Sequence, residues 1–466
     1  MKVFKKRLLL TLAGCLLMFN YAWCQTAESI SLQQLLTNMQ SNYELLKYHS
    51  SLVQAKRAQQ KAVSYDRLPH LNTMFQATIS SNNNLQGTYM TYGMIPSVTG
   101  GSRADSKLEA ISGDAAFAGL NWEAVNFGAY KARENVAKSD LLVQMNTLVS
   151  EQYDLDGIAS SYYIELLRQY ELENIRLENV RRLQELKGSI GALVISGTRP
   201  GVDSMVASAE LSKANVSLYE ARKNFAQMQV QLSTLTGMQA GQLTPDTSAP
   251  NRIINEGAAF IVTAPIDTAH HPYLNLYSSL YDLSKARLQL EKNSYYPKVF
   301  VDADAWARGS SVSNNDQFNS LPLGYEPSRF NYLVGLTLTY DIVNIARKRL
   351  RSSVNRYETE AAYHQMLNEK ENLNNDLQQA QLEKDYQLSR LSETRNQLSA
   401  ASSAYDQQLS LYHSGLSSII DLNTALNYFI QAQVDYLDAR MGSVRSILNY
   451  SLVSNSFNSL VQTLKL

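Results

Sequence analysis

One phrase is written twice in this chain, and the second copy lies 218 positions after the first. Ser196-Gly197, Asp203, Ala207, Ala214 and Ala221-Arg222 recur as Ser414-Gly415, Asp421, Ala425, Ala432 and Ala439-Arg440. Each copy is a glycine turn followed by alanines at every seventh residue. A seven-residue period marks the seam of a helix packed on other helices, and alanine there lets backbones approach closely. The spacing predicts a duplicated helical hairpin.

The register continues upstream. Trp122-Glu123-Ala124-Val125-Asn126 aligns with Tyr340-Asp341-Ile342-Val343-Asn344 at 218, and Leu68-Pro69 with Tyr296-Pro297 at 228. The difference of ten residues falls within 83–111 and 309–329, which vary in length as surface loops do. Each half reads as helix, proline, segment, loop, segment, long helix, glycine tip, helix. Proline is absent between Pro96 and Pro200 and after Pro327. Tracts of that kind suit long helices, whose interiors exclude proline. At 1.5 Å per residue, 128–188 would run ~90 Å and 343–412 ~105 Å, lengths that imply coiled-coil packing rather than a compact domain.

Before each long helix the period changes to two. In 330–342, Phe330, Tyr332, Val334, Leu336, Leu338, Tyr340 and Ile342 alternate with mostly polar residues. The segments 71–80 and 298–308 alternate likewise, and 114–125 more weakly through Leu120, Trp122 and Ala124. About ten residues with one apolar face fits a membrane-barrel strand, or a soluble sheet with one face on a core. Asp302 and Asp304 would then face a barrel lumen as wall residues. Four strands cannot close a barrel, and open edges are not tolerated in hydrocarbon. Hence either the hairpins stay out of the membrane or several chains share one barrel: eight strands from two chains, twelve from three.

Lys2, Lys5, Lys6 and Arg7, then the apolar run from Leu8 to Leu17 and the site Ala22-Trp23-Cys24, read as a secretory signal over 1–24. Leu12-Ala13-Gly14-Cys15 offers a rival lipoprotein reading, with Cys15 lipidated. Cleavage after Cys24 removes both cysteines, and with them disulfides, thiolate metal sites and a cysteine nucleophile. No run of about twenty apolar residues follows, so a membrane span must be made of strands. The 42 acidic and 42 basic residues balance, giving no argument for nucleic acid. There is no phosphate loop, nucleophile elbow or metalloprotease motif. His270-His271 precedes Pro272 and reads as a loop or helix start rather than a metal site. Neither catalysis, cofactor nor metal is expected.

The two glycine tips, each with an aspartate six residues later, and the same proline, strand, loop, strand and helix order in both halves resemble the TolC-like family of outer-membrane efflux channels. The resemblance spans roughly 28–455. It implies a mainly α, internally duplicated fold. Long coiled-coil helices would form a trimeric α-barrel, and four strands per chain would share a twelve-stranded barrel. It divides the chain into a first repeat, 25–238, with strand hairpin 69–125 and tip 189–204. A linker over 239–267 leads to a second repeat, 268–455, with strand hairpin 297–342 and tip 412–418; a tail, 456–466, follows.

It further implies a homotrimeric passive duct in the outer membrane lipid, extending into the periplasm. Such a duct docks on a periplasmic adaptor and an inner-membrane transporter through tips at Gly197, Thr198, Gly415 and Leu416. The family's latch places an aspartate, a tyrosine and an arginine. Asp203 and Tyr412 match, but the arginine position is Ser417, and Arg199 of the other hairpin offers a different pair. Asp421 matches one of two constriction aspartates, the other being Thr424. Asp421 also suits a helix cap. Ala207, Ala214, Ala221, Ala425, Ala432 and Ala439 are the expected seam. A type I secretion duct and a soluble periplasmic coiled-coil adaptor remain as alternatives.

Overall fold

The computed structural model describes residues 29–81, 83–85, 90–92, 95–97, 101–102, 104–313, 315, 317–342 and 345–466. The expected signal, with Cys15 and Cys24, lies outside them, as do Val343 and Asn344. The described residues form two compact units, one from 29–52, 145–277 and 365–466, the other from 53–144 and 278–364.

Helices dominate. They are α1 (Leu32–Asn42), α2 (Glu44–Tyr65), α3 (Ala129–Ile195), α4 (Gly201–Thr236), α5 (Pro272–Ser294), α6 (Ile345–His413), α7 (Ile419–Val453) and α8 (Phe457–Leu464). The proline-free tracts account for α3 and α6, of 67 and 69 residues. Local chemistry sets the ends. Ser31 and Ser418 each begin a helix with a reciprocal capping box, to Gln34 and Asp421. Gly197 (φ 74°) ends α3 and Gly415 (φ 80°) ends α6 in the left-handed region. At both, the next residue's N–H reaches back five positions, Thr198 to Leu193 O and Leu416 to Leu411 O. This is the Schellman arrangement, and it explains why the repeated phrase carries glycine at that position.

The first unit has two apolar clusters. One joins Leu35 and Met39 of α1 to Leu166 and Leu167 of α3, Leu232 of α4 and Val444 and Ile447 of α7. The other lies by the tips and holds Ile190, Ala207, Ala214, Tyr412, Leu422 and Leu426. Five of the six seam alanines are buried, and Ala425 is half-buried. The linker 239–267 contains short helical turns whose Ala249, Ile253 and Ile261 join the first cluster. The segment expected as a tail packs into the first unit. Residues 457–464 form α8, and Phe457, Leu460, Val461 and Leu464 fill the core at helical spacing. The Gln33 N–H donates to Leu466 O at 2.7 Å, and Leu466 itself is fully buried. His270 turns to Asp267 (2.9 Å), whereas His271 is buried with its ring 5.2 Å from that of Tyr153.

The second unit carries a four-stranded antiparallel sheet, β1 (His70–Ser80), β2 (Ile111–Val125), β3 (Lys298–Ser310) and β4 (Arg329–Thr339), in that order, and two short antiparallel pairs, 84–85 with 101–102 and 90–92 with 95–97. The fourth strand, expected over 330–342, stops at Thr339. Register places Phe75, Ala116, Ala307 and Phe330 in one row and Leu71, Leu120, Ala303 and Val334 in another, so one apolar face crosses all four strands. In this chain that face is open: Leu71, Phe75, Phe330, Val334 and Leu336 are all exposed, Leu336 at 78%. The opposite face is mixed, and there Asp302 accepts from Asn121 Nδ2 (2.6 Å) and Thr337 Oγ1 (3.0 Å). Gly119 leaves room for Asp304 across the pair, since a Cβ would meet the Asp304 carboxylate at 2.5 Å. Among the described residues, β1 and β4 each pair on one side, leaving two open edges.

Candidate functional site

The tips of the first unit bring three of the singled-out residues together. Pro200 holds extended backbone before α4, so that Asp203 occupies the third position of that helix. A carboxylate in the first turn complements the helix dipole. Asp203 is nevertheless buried, and its Oδ2 accepts from the Tyr412 hydroxyl at 2.8 Å. Tyr412 belongs to the last turn of α6 and is fully buried. Burial, then the bond to the Asp203 carboxylate, pushes its hydroxyl up to about 12, so it stays a donor through the neutral range.

Arg199 completes the cluster. Its guanidinium lies 4.2 Å from the Tyr412 ring centroid and donates to the Tyr412 carbonyl. A cation over a tyrosine face and on the last carbonyls of a helix is favoured twice over. Arg199 and Asp203 come from the first hairpin and Tyr412 from the second, so three side chains tie the tips within one chain. At the arginine position of the resemblance, Ser417 instead hydrogen-bonds Gln408.

Thr198 and Leu416 are the residues that follow the turn glycines. The Thr198 hydroxyl pairs with Ser196 Oγ at 2.9 Å, and Leu416 is exposed. Open space surrounds the position a Cβ would take at Gly197 and at Gly415. Glycine is therefore required there for its φ and not for room.

Asp421 is engaged differently. It accepts from the Ser418 hydroxyl (2.7 Å) and the Ser418 N–H (3.3 Å), bonds that hold its carboxyl below the usual range, and its own N–H donates to Ser418 Oγ (3.2 Å). Thr424 bonds back to Ile420 O at 2.8 Å. Asp421, Thr424 and Ala425 line a groove of about 540 Å³ with Ala401, Ala404 and Gln408 of α6. The cap is thus present, and the carboxylate remains exposed beside the groove.

Sequence reasoning missed a set of fastenings on the same hairpins. Arg440 grips Glu171 through two bonds of 2.7 and 2.9 Å, and Arg222 reaches Glu173 at 3.1 Å. Both arginines stand in the duplicated Ala-Arg pairs, which was their signal. Arg182 lies 4.9 Å from the Phe429 ring, which stacks on Tyr405 at 5.7 Å. Among the described residues no three His, Cys, Asp or Glu side chains gather to hold a metal. No helix among them is long and apolar enough to cross a membrane.

No protein-family pattern and no curated protein matches the sequence. Solved structures do. The Campylobacter jejuni CmeC outer membrane channel matches at TM-score 0.70 and 12% identity, over 94% of this chain and 88% of that one. The outer membrane protein VceC of Vibrio cholerae matches at 0.70 and 12%, over 92% and 95%. The open state of the Neisseria gonorrhoeae MtrE outer membrane channel matches at 0.68 and 13%, over 91% and 89%. With its duplicated hairpins, four-stranded sheet and glycine tips, the chain has the fold of the TolC-like outer-membrane channels.

Proposed function

We propose that three copies of this chain form a passive channel in the outer membrane, continued by helices into the periplasm and closed at the hairpin tips. The observation that carries this reading is the sheet: one apolar face left exposed across four strands that end in two open edges. A soluble adaptor would need that face covered, and a lipid-exposed sheet would need those edges paired. Sharing twelve strands among three copies meets both demands. Energy and direction would come from a periplasmic adaptor and an inner-membrane transporter docked at Gly197, Thr198, Gly415 and Leu416.

In this reading Asp203, Tyr412 and Arg199 form the latch that keeps the tips together. Asp421, repeated threefold, sets a ring of carboxylates that favours cations at the constriction, as charged rings do in pores. The wall seams are Ala207, Ala214, Ala221, Ala425, Ala432 and Ala439. The experiment is recovery and conductance. Expressed protein should partition with outer membranes, and in planar bilayers it should conduct poorly until the tips open. Recovery in the soluble periplasmic fraction would sink the proposal. In the same bilayers Asp421→Asn should weaken block by multivalent cations, and unchanged block would remove Asp421 from the ring.

A further inference from the structure

The second unit holds a group of oxygen atoms that the channel reading does not use. Asp114 lies in the row of β2 residues that carries Leu120, Ala118 and Ala116, opposite Ala77 of β1 and Gly309 of β3. It is therefore an acid set into the apolar face, near the loop end of the strands. The segment after β3 folds back over it. Ser112 N donates to Ser311 Oγ and Ser311 N to Ser112 O, both at 3.0 Å, while Ser112 Oγ donates to Leu321 O. Under this cover Ser112, Asp114, Ser311 and Gly324 are buried, Asp114 at 6% exposure.

Three oxygens converge at the centre. A Cβ added to Gly309 would meet Asp114 Oδ1 at 2.5 Å, Glu326 O at 2.6 Å and Gly324 O at 2.7 Å. Only glycine lets the three oxygens crowd together against that point of β3. All three are acceptors, and one belongs to a carboxylate. Asp114 Oδ1 is shut off from water and has no hydrogen-bond partner among the described residues. The loop's own amides are committed elsewhere, Glu326 N to Leu323 O and Ser328 N to Arg308 O. A buried carboxylate facing two carbonyl dipoles is strongly unfavourable unless a positive charge stands among them.

We propose that Asp114 Oδ1, Gly324 O and Glu326 O are ligands of a hard divalent cation of the calcium class, which pins the 321–328 segment to the β2–β3 corner. The donor set supports that choice. It is all oxygen, mixes one carboxylate with backbone carbonyls, and contains no nitrogen or sulfur that would select zinc or copper. A single carboxylate makes a weak site, with Kd on the order of 10⁻⁴–10⁻³ M, the range of extracellular calcium modules. Water could bridge the oxygens but would bring no charge, and a proton on Asp114 would bring charge without pinning the loop to a metal. The site rests on the fold of this unit and not on the channel reading; in that reading it faces the cell exterior.

The test uses the full-length protein in detergent after EGTA treatment. Terbium should give a saturable luminescence excited through tyrosine, Tyr325 being adjacent in the chain. Calcium should displace it, and magnesium should do so poorly. Asp114→Asn should weaken calcium competition about tenfold or more. Should that variant fail to fold, the wild type alone decides: calcium should slow cleavage by chymotrypsin after the exposed Tyr325. If calcium up to about 10 mM neither displaces terbium nor slows cleavage after Tyr325, the site is not metallic. Protection that grows only as pH falls would assign a proton to Asp114 and overturn the proposal too. Neither readout involves conductance or outer-membrane recovery, so a failed channel reading would be seen separately.

Discussion

Tyr412 is the side chain at which the two tips meet. It gives its hydroxyl proton to a buried carboxylate and its ring face and carbonyl to a guanidinium. Tyr412→Phe leaves Asp203 buried with one donor fewer, a loss of about 1–3 kcal/mol. Each 1.4 kcal/mol is tenfold in an equilibrium, so single-channel recordings should show the closed state yielding to the open one by about tenfold or more. Arg199→Ala should act in the same direction. Unaltered recordings for both would mean that the cluster holds the fold and not the gate.

Asp156 on α3 makes a second prediction. It is buried, accepts from Gln40 Nε2 at 3.0 Å, and has a pKa pushed up to about 6 by burial. An acid whose folded pKa exceeds its unfolded value favours folding most at low pH. That contribution is full below about pH 4 and lost as pH rises through 6. Asp156→Asn should therefore raise the melting temperature at pH 7.5, by the equivalent of roughly 1–3 kcal/mol, and flatten its dependence between pH 4 and 6. A pH profile unchanged by the substitution would assign the titration elsewhere. None of this was legible in the sequence, because what buries Asp156 is the arrival of α1, more than a hundred residues away in the chain. The tyrosine–aspartate pair, by contrast, could be named beforehand, since each half of it stands at a fixed distance from a turn glycine.

At the scale of elements, periodicity carried most of the information. Alanine at every seventh position announced a seam, and Ala432 and Ala439 are fully buried where α7 packs. Ala432→Leu should overpack that seam by about 1–3 kcal/mol, read as faster amide exchange along α7 in the intact protein. Exchange no faster than wild type would mean the seam has slack. The strands were legible because period two survives translation into a pleated face. Helix α8 was missed although Phe457, Leu460, Val461 and Leu464 keep helical spacing; at eight residues it is held by tertiary packing more than by propensity. The Asp114 corner escaped for another reason. Its oxygens come from β2 and from a segment some two hundred residues later, and no local pattern joins them.

For the whole molecule, the open edges decide the stoichiometry. β1 runs up one side of the sheet and β4 down the other, each with a row of unpaired backbone groups. In the proposed assembly β4 of one copy pairs with β1 of the next. Cysteines at Phe75 and Val334, placed on exposed positions of those two strands, should cross-link under oxidation to dimers and trimers and stop at three. A ladder that continues, or monomer alone, would reject the closed ring.

The bond from Gln33 N–H to Leu466 O has a consequence for biogenesis. The first described helix is completed by residues more than four hundred positions later in the chain. A chain exported from its amino end would hold α1 on α3 and α4, its packing incomplete, until 457–466 had crossed as well. During that interval the core around α1 lacks Phe457, Leu460, Val461 and Leu464, so the delay is a window for holding factors and for proteases. For a chain so exported, the speed of transport, more than any local folding rate, would set how long the immature protein is at risk.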